Sequence, residues 1–217
     1  MKITFKYDKE KDIWCLLNKG KSSNNSSKPT KVYEELIAVY GENPSAEDVS
    51  AFIDKYISEN NININERVTS YQKDWETISE EYRKRAEAIL GVSLPEDITA
   101  YLTINNRCPY NIEEHYFFVS MSKPFVRKTI MHELWHFYTW YGLGADQQEI
   151  LGKEKYNDLK EALTVLLNTE CKDLVPEGEV DEDGIGGVRE RCRDADIKVL
   201  FFEKAAMGWR VVPTGRI

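Results

Sequence analysis

Apolar residues along this chain follow two spacings, and each change of spacing marks a new element. Ile3–Tyr7 and Ile13–Leu17 are short apolar-rich runs around the turn-like Asp8–Asp12, which predicts a β-hairpin. Lys19–Thr30 is polar, rich in Ser and Asn, and predicts a loop. Helical spacing follows. Lys31–Tyr40 ends at Gly41, and Ala46–Ser58 has Ser45 as N-cap with Val49, Phe52, Ile53 and Tyr56 on one face. A longer amphipathic helix is expected over about Asn65–Leu90, closed by Gly91, its charges forming the solvated face.

Past Leu94-Pro95, residues Ile98–Ile104 alternate as a strand does, Asn105–Glu114 reads as a loop, and His115–Met121 is a second strand pattern. Ser122–Tyr141 then returns to helical spacing. Ser122 is the expected N-cap, Pro124 sits in the first turn, and Gly142 is the expected C′ residue. Phe125, Val126, Ile130, Leu134, Phe137 and Tyr141 form its apolar stripe. Another helix is expected at about Tyr156–Asn168. An acidic, glycine-rich loop (Pro176–Gly187), a helix at about Arg189–Met207 and a short tail (Trp209–Ile217) complete the chain. The order predicts an α+β fold: a small, mostly antiparallel sheet beside two central helices, with a helical N-terminal region. The expected division is 1–92 and 93–217, with the option of one compact unit.

Composition narrows the function classes. The chain has 217 residues, 41% of them hydrophobic, enough to bury a core. A net charge of −8 argues against general nucleic-acid binding, which needs a basic surface. No stretch approaches the roughly 18 apolar residues of a membrane span, and the N-terminus shows no apolar signal-peptide region. Cys15, Cys108, Cys171 and Cys192 are scattered without a Cys-x-x-Cys pair, so reduced thiols and a cytoplasmic location are expected.

The chemistry is concentrated in Met131–Phe137, which contains one HExxH: His132, Glu133 and His136. Residues four apart on a helix lie on one face, so two imidazoles can reach a single zinc ion. Glu133 then projects beside that ion as a general base toward water. Of the three histidines in the chain, two fall in this motif, which weakens the alternative of two unrelated core histidines.

A catalytic zinc usually has three protein ligands. Thr139 and Gly142 stand where an HExxHxxGxxH pattern would place its glycine and third histidine, and no histidine follows His136. A carboxylate is therefore required from among Asp146, Glu149, Glu154, Asp158, Glu161 and Glu170. Glu161 is the best placed. It lies on the next strong helical pattern, flanking the stripe Leu159, Ala162, Leu163 and Leu166.

At these residues the chain resembles the thermolysin-like gluzincin metallopeptidases, in which HExxH on one helix is completed by a Glu on the following helix. A small residue commonly follows that Glu, as Ala162 does here. The resemblance covers about Ile98–Asn168 and implies a minimal zincin-like core. It implies one catalytic Zn2+ held by His132, His136 and Glu161, with Glu133 as catalytic base. It also implies a peptide or protein substrate laid along an edge strand, here His115–Met121, with backbone groups of Phe117, Val119 and their neighbours offered to it. Val165 occupies the place of an aspartate that in many members holds a zinc histidine, leaving Asp158, Thr164 or Asn168 for that role. The oxyanion-stabilising His or Tyr of many members has no downstream match. Tyr138, Tyr141, Tyr156, His115, Arg189, Arg191 and Arg193 are the candidates. The expected activity is zinc-dependent peptide-bond hydrolysis. The alternative is a non-catalytic zinc- or peptide-binding module on the same scaffold.

Overall fold

The computed structural model describes residues 1–20, 28–175, 201–205 and 208–212. It is a mixed α+β structure whose described residues cluster in two compact units: Met1–Glu76 with Pro95–Thr129, and Thr77–Leu94 with Ile130–Ile217. The expected division at residue 92 does not match this clustering. The reason lies in the sheet, where the first strand pairs with one from after that division.

In the first unit, β1 (Lys2–Tyr7), β2 (Asp97–Thr103), β3 (Tyr110–Asn111) and β4 (Tyr116–Ser120) form one sheet in the order β1-β2-β4-β3. β1 and β2 run parallel, Ile3 opposite Ile98 and Phe5 opposite Ala100. β2 and β4 also run parallel, and only two-residue β3 is antiparallel. The expectation of a mostly antiparallel sheet is thus corrected. All five residues of β4 are buried, and its unbroken Tyr-Phe-Phe-Val run is the composition of a strand covered on both faces.

The expected hairpin is also corrected. After β1 the chain forms helix α1 (Lys9–Lys19). Asp8, read as a turn residue, is its N-cap and accepts from the backbone N–H groups of Glu10 and Lys11 at 3.0 and 3.1 Å. Asp12, Cys15 and Leu16 are the buried side of this helix, at spacings of three and four. Helices α2 (Lys31–Tyr40) and α3 (Ala46–Glu59) form as the pattern predicts, and Ser45 and Asp48 make a reciprocal capping box. The polar segment 21–27 lies outside the described residues.

The long helix expected over Asn65–Leu90 is two helices, α4 (Ile64–Glu76) and α5 (Ser79–Leu90), separated at buried Ile78. α4 serves the sheet. Gln72 accepts from the N–H of Phe5 at 3.2 Å and donates to the carbonyl of Ile3 at 3.1 Å, which satisfies part of the β1 edge. Tyr71 donates toward the carbonyls of Ser120 and Lys123 at the end of β4.

Backbone direction along β4 changes the expected substrate edge. The Thr99 N–H donates to the His115 carbonyl, and the Met121 N–H to the Thr103 carbonyl. In a parallel ladder alternate residues face the same neighbour, so Phe117 and Val119 turn their backbone groups to β2. They are not free for an extended peptide. The other side of β4 carries β3, and the Phe118 N–H donates to the Pro109 carbonyl at 2.9 Å.

The HExxH helix, α6, spans Arg127–Thr139 rather than starting at Ser122. Ser122 caps nothing there: its hydroxyl shares a 2.8 Å bond with Ser120 and approaches Asn106 Oδ1 at 3.3 Å. Nor does Gly142 end the helix. The chain continues through a π-helical turn, Trp140–Gly144, into α7 (Ala145–Leu151). A Cβ on Gly142 would lie 3.0 Å from the Leu90 carbonyl oxygen, so this glycine serves close packing on the end of α5. Gly152, with φ of 78°, separates α7 from α8 (Lys153–Leu163), and α9 (Val165–Glu170) follows after Thr164.

The expected helix at Arg189–Met207 is contradicted where the chain is described. Phe201–Ala205 (β5) and Gly208–Val212 (β6) pair as an antiparallel ribbon, in keeping with the strand preference of Phe201, Phe202, Val211 and Val212. Residues 176–200, including the acidic loop, lie outside the described residues.

Candidate metal centre

Within the second unit, α6 is anchored before it presents its histidines. The Tyr82 hydroxyl on α5 donates to the Met131 carbonyl at 2.8 Å, and the Tyr82 and Tyr138 rings meet edge to face. From Met131 to Thr139 only His132 is partly exposed, so the motif is set into a packed helix. On α8, Leu159, Ala162 and Leu163 are buried as the stripe predicts, and Glu161 beside them is half-buried; Leu166, also buried, lies on α9, because the helix expected over Tyr156–Asn168 is broken at Thr164. The π-helical turn leads toward this second helix. Gly144 lies under Trp140 and Tyr156, whose rings meet at 71°.

His132, His136 and Glu161 converge, each offering a ligand atom within 4.8 Å of the others. His132 Nε2 and His136 Nε2 are 3.0 Å apart. Glu161 Oε2 lies 3.7 Å from His132 Nε2, and Oε1 lies 3.5 Å from His136 Nε2. Donor atoms on a tetrahedral ion with bonds of about 2.0–2.1 Å are roughly 3.3–3.4 Å apart. The two imidazole nitrogens are a few tenths of an ångström inside that edge length, and each lies near it from a different Glu161 oxygen; taken one ligand atom per residue, the three lie within 4.8 Å of one another, close enough for the donor set to gather around one small divalent cation. Two imidazoles and a carboxylate are also a borderline-hard set that zinc and its neighbours accept.

Electrostatics agree with this fit. Burial, then the neighbouring His132 and Lys160, drive the His136 pKa down to about 2. His136 is therefore a neutral imidazole with a lone pair available, and its approach to Glu161 is not an ion pair. Glu133 is only 7% exposed. Its burial, reinforced by the charge of Glu161 and opposed by Lys160, holds its carboxyl well above the ordinary carboxylate range. A carboxyl in such a place takes a proton more readily than one in water.

Among the other expected carboxylates, Glu161 alone joins the cluster among the described residues. The Thr164 hydroxyl, a candidate to hold a histidine ligand in place, instead donates to the Glu161 backbone carbonyl at 2.7 Å, where it helps end α8. Of the oxyanion candidates, Tyr138 packs on Tyr82 and Tyr156 on Trp140. His115 belongs to the turn before β4, with φ of 53°. Arg189, Arg191 and Arg193 fall outside the described residues.

Lys160 was not singled out by the sequence. Its Nζ is 3.6 Å from Glu161 Oε1, and its side chain is 12% exposed. A lysine directly before a carboxylate ligand was the available signal, but helix position alone does not bring neighbouring side chains together.

No protein-family model, curated protein or solved structure matches the chain.

Proposed function

We propose that the protein is a zinc-dependent metallopeptidase of gluzincin type. The observation that carries this reading is the convergence of His132, His136 and Glu161 beside buried Glu133. Together with the HExxH spacing it supports the resemblance and a zincin-like core. His132 and His136 supply two neutral nitrogen donors from one helix, and Glu161 supplies the third donor. A zinc ion held by these three residues would lower the pKa of water and polarise a carbonyl.

The chain's own contribution to hydrolysis is proton handling. Glu133 accepts a proton from the attacking water at its carboxylate, holds it in a buried site that favours the neutral form, and returns it to the leaving amine. Peptide hydrolysis needs such a group because the amine is a poor leaving group until protonated.

The test is a peptide-library digest with and without chelator, run beside Glu133→Gln. Cleavage that is lost with chelator, restored by zinc and absent from the variant is the expected result. Undiminished cleavage by the variant would remove Glu133 from its role. Metal without any cleavage would favour a zinc-holding binding module.

A further inference from the structure

Two thiols of the first unit come together. Cys15 on α1 is fully buried, and Cys108, in the loop between β2 and β3, is partly exposed; both are reduced. Cys15 belongs to a buried cluster with Tyr101, Tyr116 and Phe118, and Cys108 packs against that cluster. The loop is tied down on both sides of Cys108. Just before it, the Arg107 carbonyl accepts from the Cys15 thiol at 3.8 Å, and the Arg107 guanidinium donates to the Lys19 carbonyl at the end of α1 at 3.0 Å. Just after it, the Pro109 carbonyl accepts from the N–H of Phe118, whose ring stacks on Trp14 beside Cys15 in the sequence. The Cys108 Cα is roughly 3 Å from the Arg107 oxygen across the peptide bond, hence within about 7 Å of the Cys15 sulfur. That is a range in which side-chain rotation and a small loop displacement close a disulfide, whose Cα atoms lie about 4.4–6.8 Å apart.

We propose that Cys15 and Cys108 form a reversible disulfide, a redox-sensitive latch between α1 and the β2–β3 loop. It is independent of the metal reading. The oxidant is a small-molecule disulfide. Cys108 gives up its thiol proton and its sulfur attacks the small disulfide, which forms a mixed disulfide and releases one thiolate to take that proton. Cys15 then gives up its proton and attacks the Cys108 sulfur, and the second small thiol leaves. In sum, two protein thiols are oxidised to one disulfide, and the small disulfide is reduced to two thiols. The order follows from access. Cys108 is the exposed partner, whereas burial pushes the Cys15 thiol up to about 12, so Cys15 serves as the slower, resolving thiol. Joining positions this far apart in sequence removes many conformations from the unfolded chain.

The test incubates the folded, purified chain with oxidised glutathione, blocks the remaining thiols, and maps the products by peptide mass spectrometry without reduction. The expected product is a peptide pair linked through Cys15 and Cys108, lighter by two hydrogens and separated again by dithiothreitol. Cys15→Ser is expected to stop at a glutathione adduct on Cys108, and Cys108→Ser to leave Cys15 unmodified. The cross-linked chain is expected to melt roughly 5–15 °C above the reduced one. A wild-type chain that keeps the glutathione adduct on Cys108 without cross-linking overturns the proposal. So does a Cys15–Cys108 link that appears only in urea, or an oxidised chain that melts no higher than the reduced one, since either marks a bond the native fold does not favour. Should Cys15→Ser fail to fold, the wild-type cross-link and Cys108→Ser decide the matter by the same outcomes.

Discussion

His132 and His136 hold their Nε2 atoms 3.0 Å apart on one side of α6, with the rings nearly perpendicular. At that distance one ring N–H can donate to the other nitrogen, and a cation can replace that proton. Each histidine is therefore expected to be needed for binding. His136→Ala and His132→Ala should each lose stoichiometric zinc on dialysis, measured by elemental analysis. Glu161→Gln, which keeps the shape but not the charge, should weaken binding roughly 10- to 100-fold or more. Full retention of zinc by His136→Ala would place the metal elsewhere.

Glu133 separates binding from turnover. Glu133→Gln should hold zinc as wild type does, since the residue is not a ligand. Its peptide hydrolysis should fall by about 10²–10⁴-fold, the usual contribution of a positioned general base. The check is kcat on any cleaved library peptide, with zinc content measured in the same sample.

How much of this was legible beforehand depends on the range of the interaction that decides it. His132, Glu133 and His136 are bound by one helical turn, so their spacing carried the geometry. Glu161 needed an elimination, and it was readable because α8 has a clear buried stripe flanking it. The sheet was misread for the opposite reason. The pairing of Ile3 with Ile98 spans most of the N-terminal half, and nothing local sets its direction. Asp8 to Leu16 fits a hairpin as two apolar runs and a helix as spacings of three and four. The Asp8 cap decides for the helix, and that hydrogen bond is visible only in three dimensions. Lys160 was hidden because its proximity to Glu161 depends on how both side chains turn.

Asp12 gives a test independent of the metal. It is fully buried, and its Oδ1 accepts from the Thr103 hydroxyl at 2.5 Å and the Ile104 N–H at 3.2 Å. Burial outweighs these hydrogen bonds and raises its pKa from the ordinary carboxylate range to about 7. The folded chain thus holds a proton that the unfolded chain has released. Stability from this group is full below about pH 4 and is lost as pH rises to about 7, by up to roughly 4 kcal/mol. Urea denaturation between pH 4 and 8 should show that fall in wild type. Asp12→Asn should flatten it, and an unchanged slope in the variant would refute the assignment.

Gly144 tests the link between the two ligand helices. A Cβ there would come within 2.5 Å of Trp140 Cε3 and 2.9 Å of the Tyr156 hydroxyl. Gly144→Ala should destabilise the chain by about 1–3 kcal/mol, as overpacking does. Because Tyr156 belongs to the same helix as Glu161, zinc affinity should fall as well. Thermal melts with and without zinc measure both effects.

The metal content of the purified chain decides whether the proposed site exists. After exposure to zinc and dialysis, elemental analysis should give one zinc per chain in wild type and in Glu133→Gln, and none in His136→Ala. No zinc in wild type, or equal zinc in wild type and His136→Ala, would contradict the account.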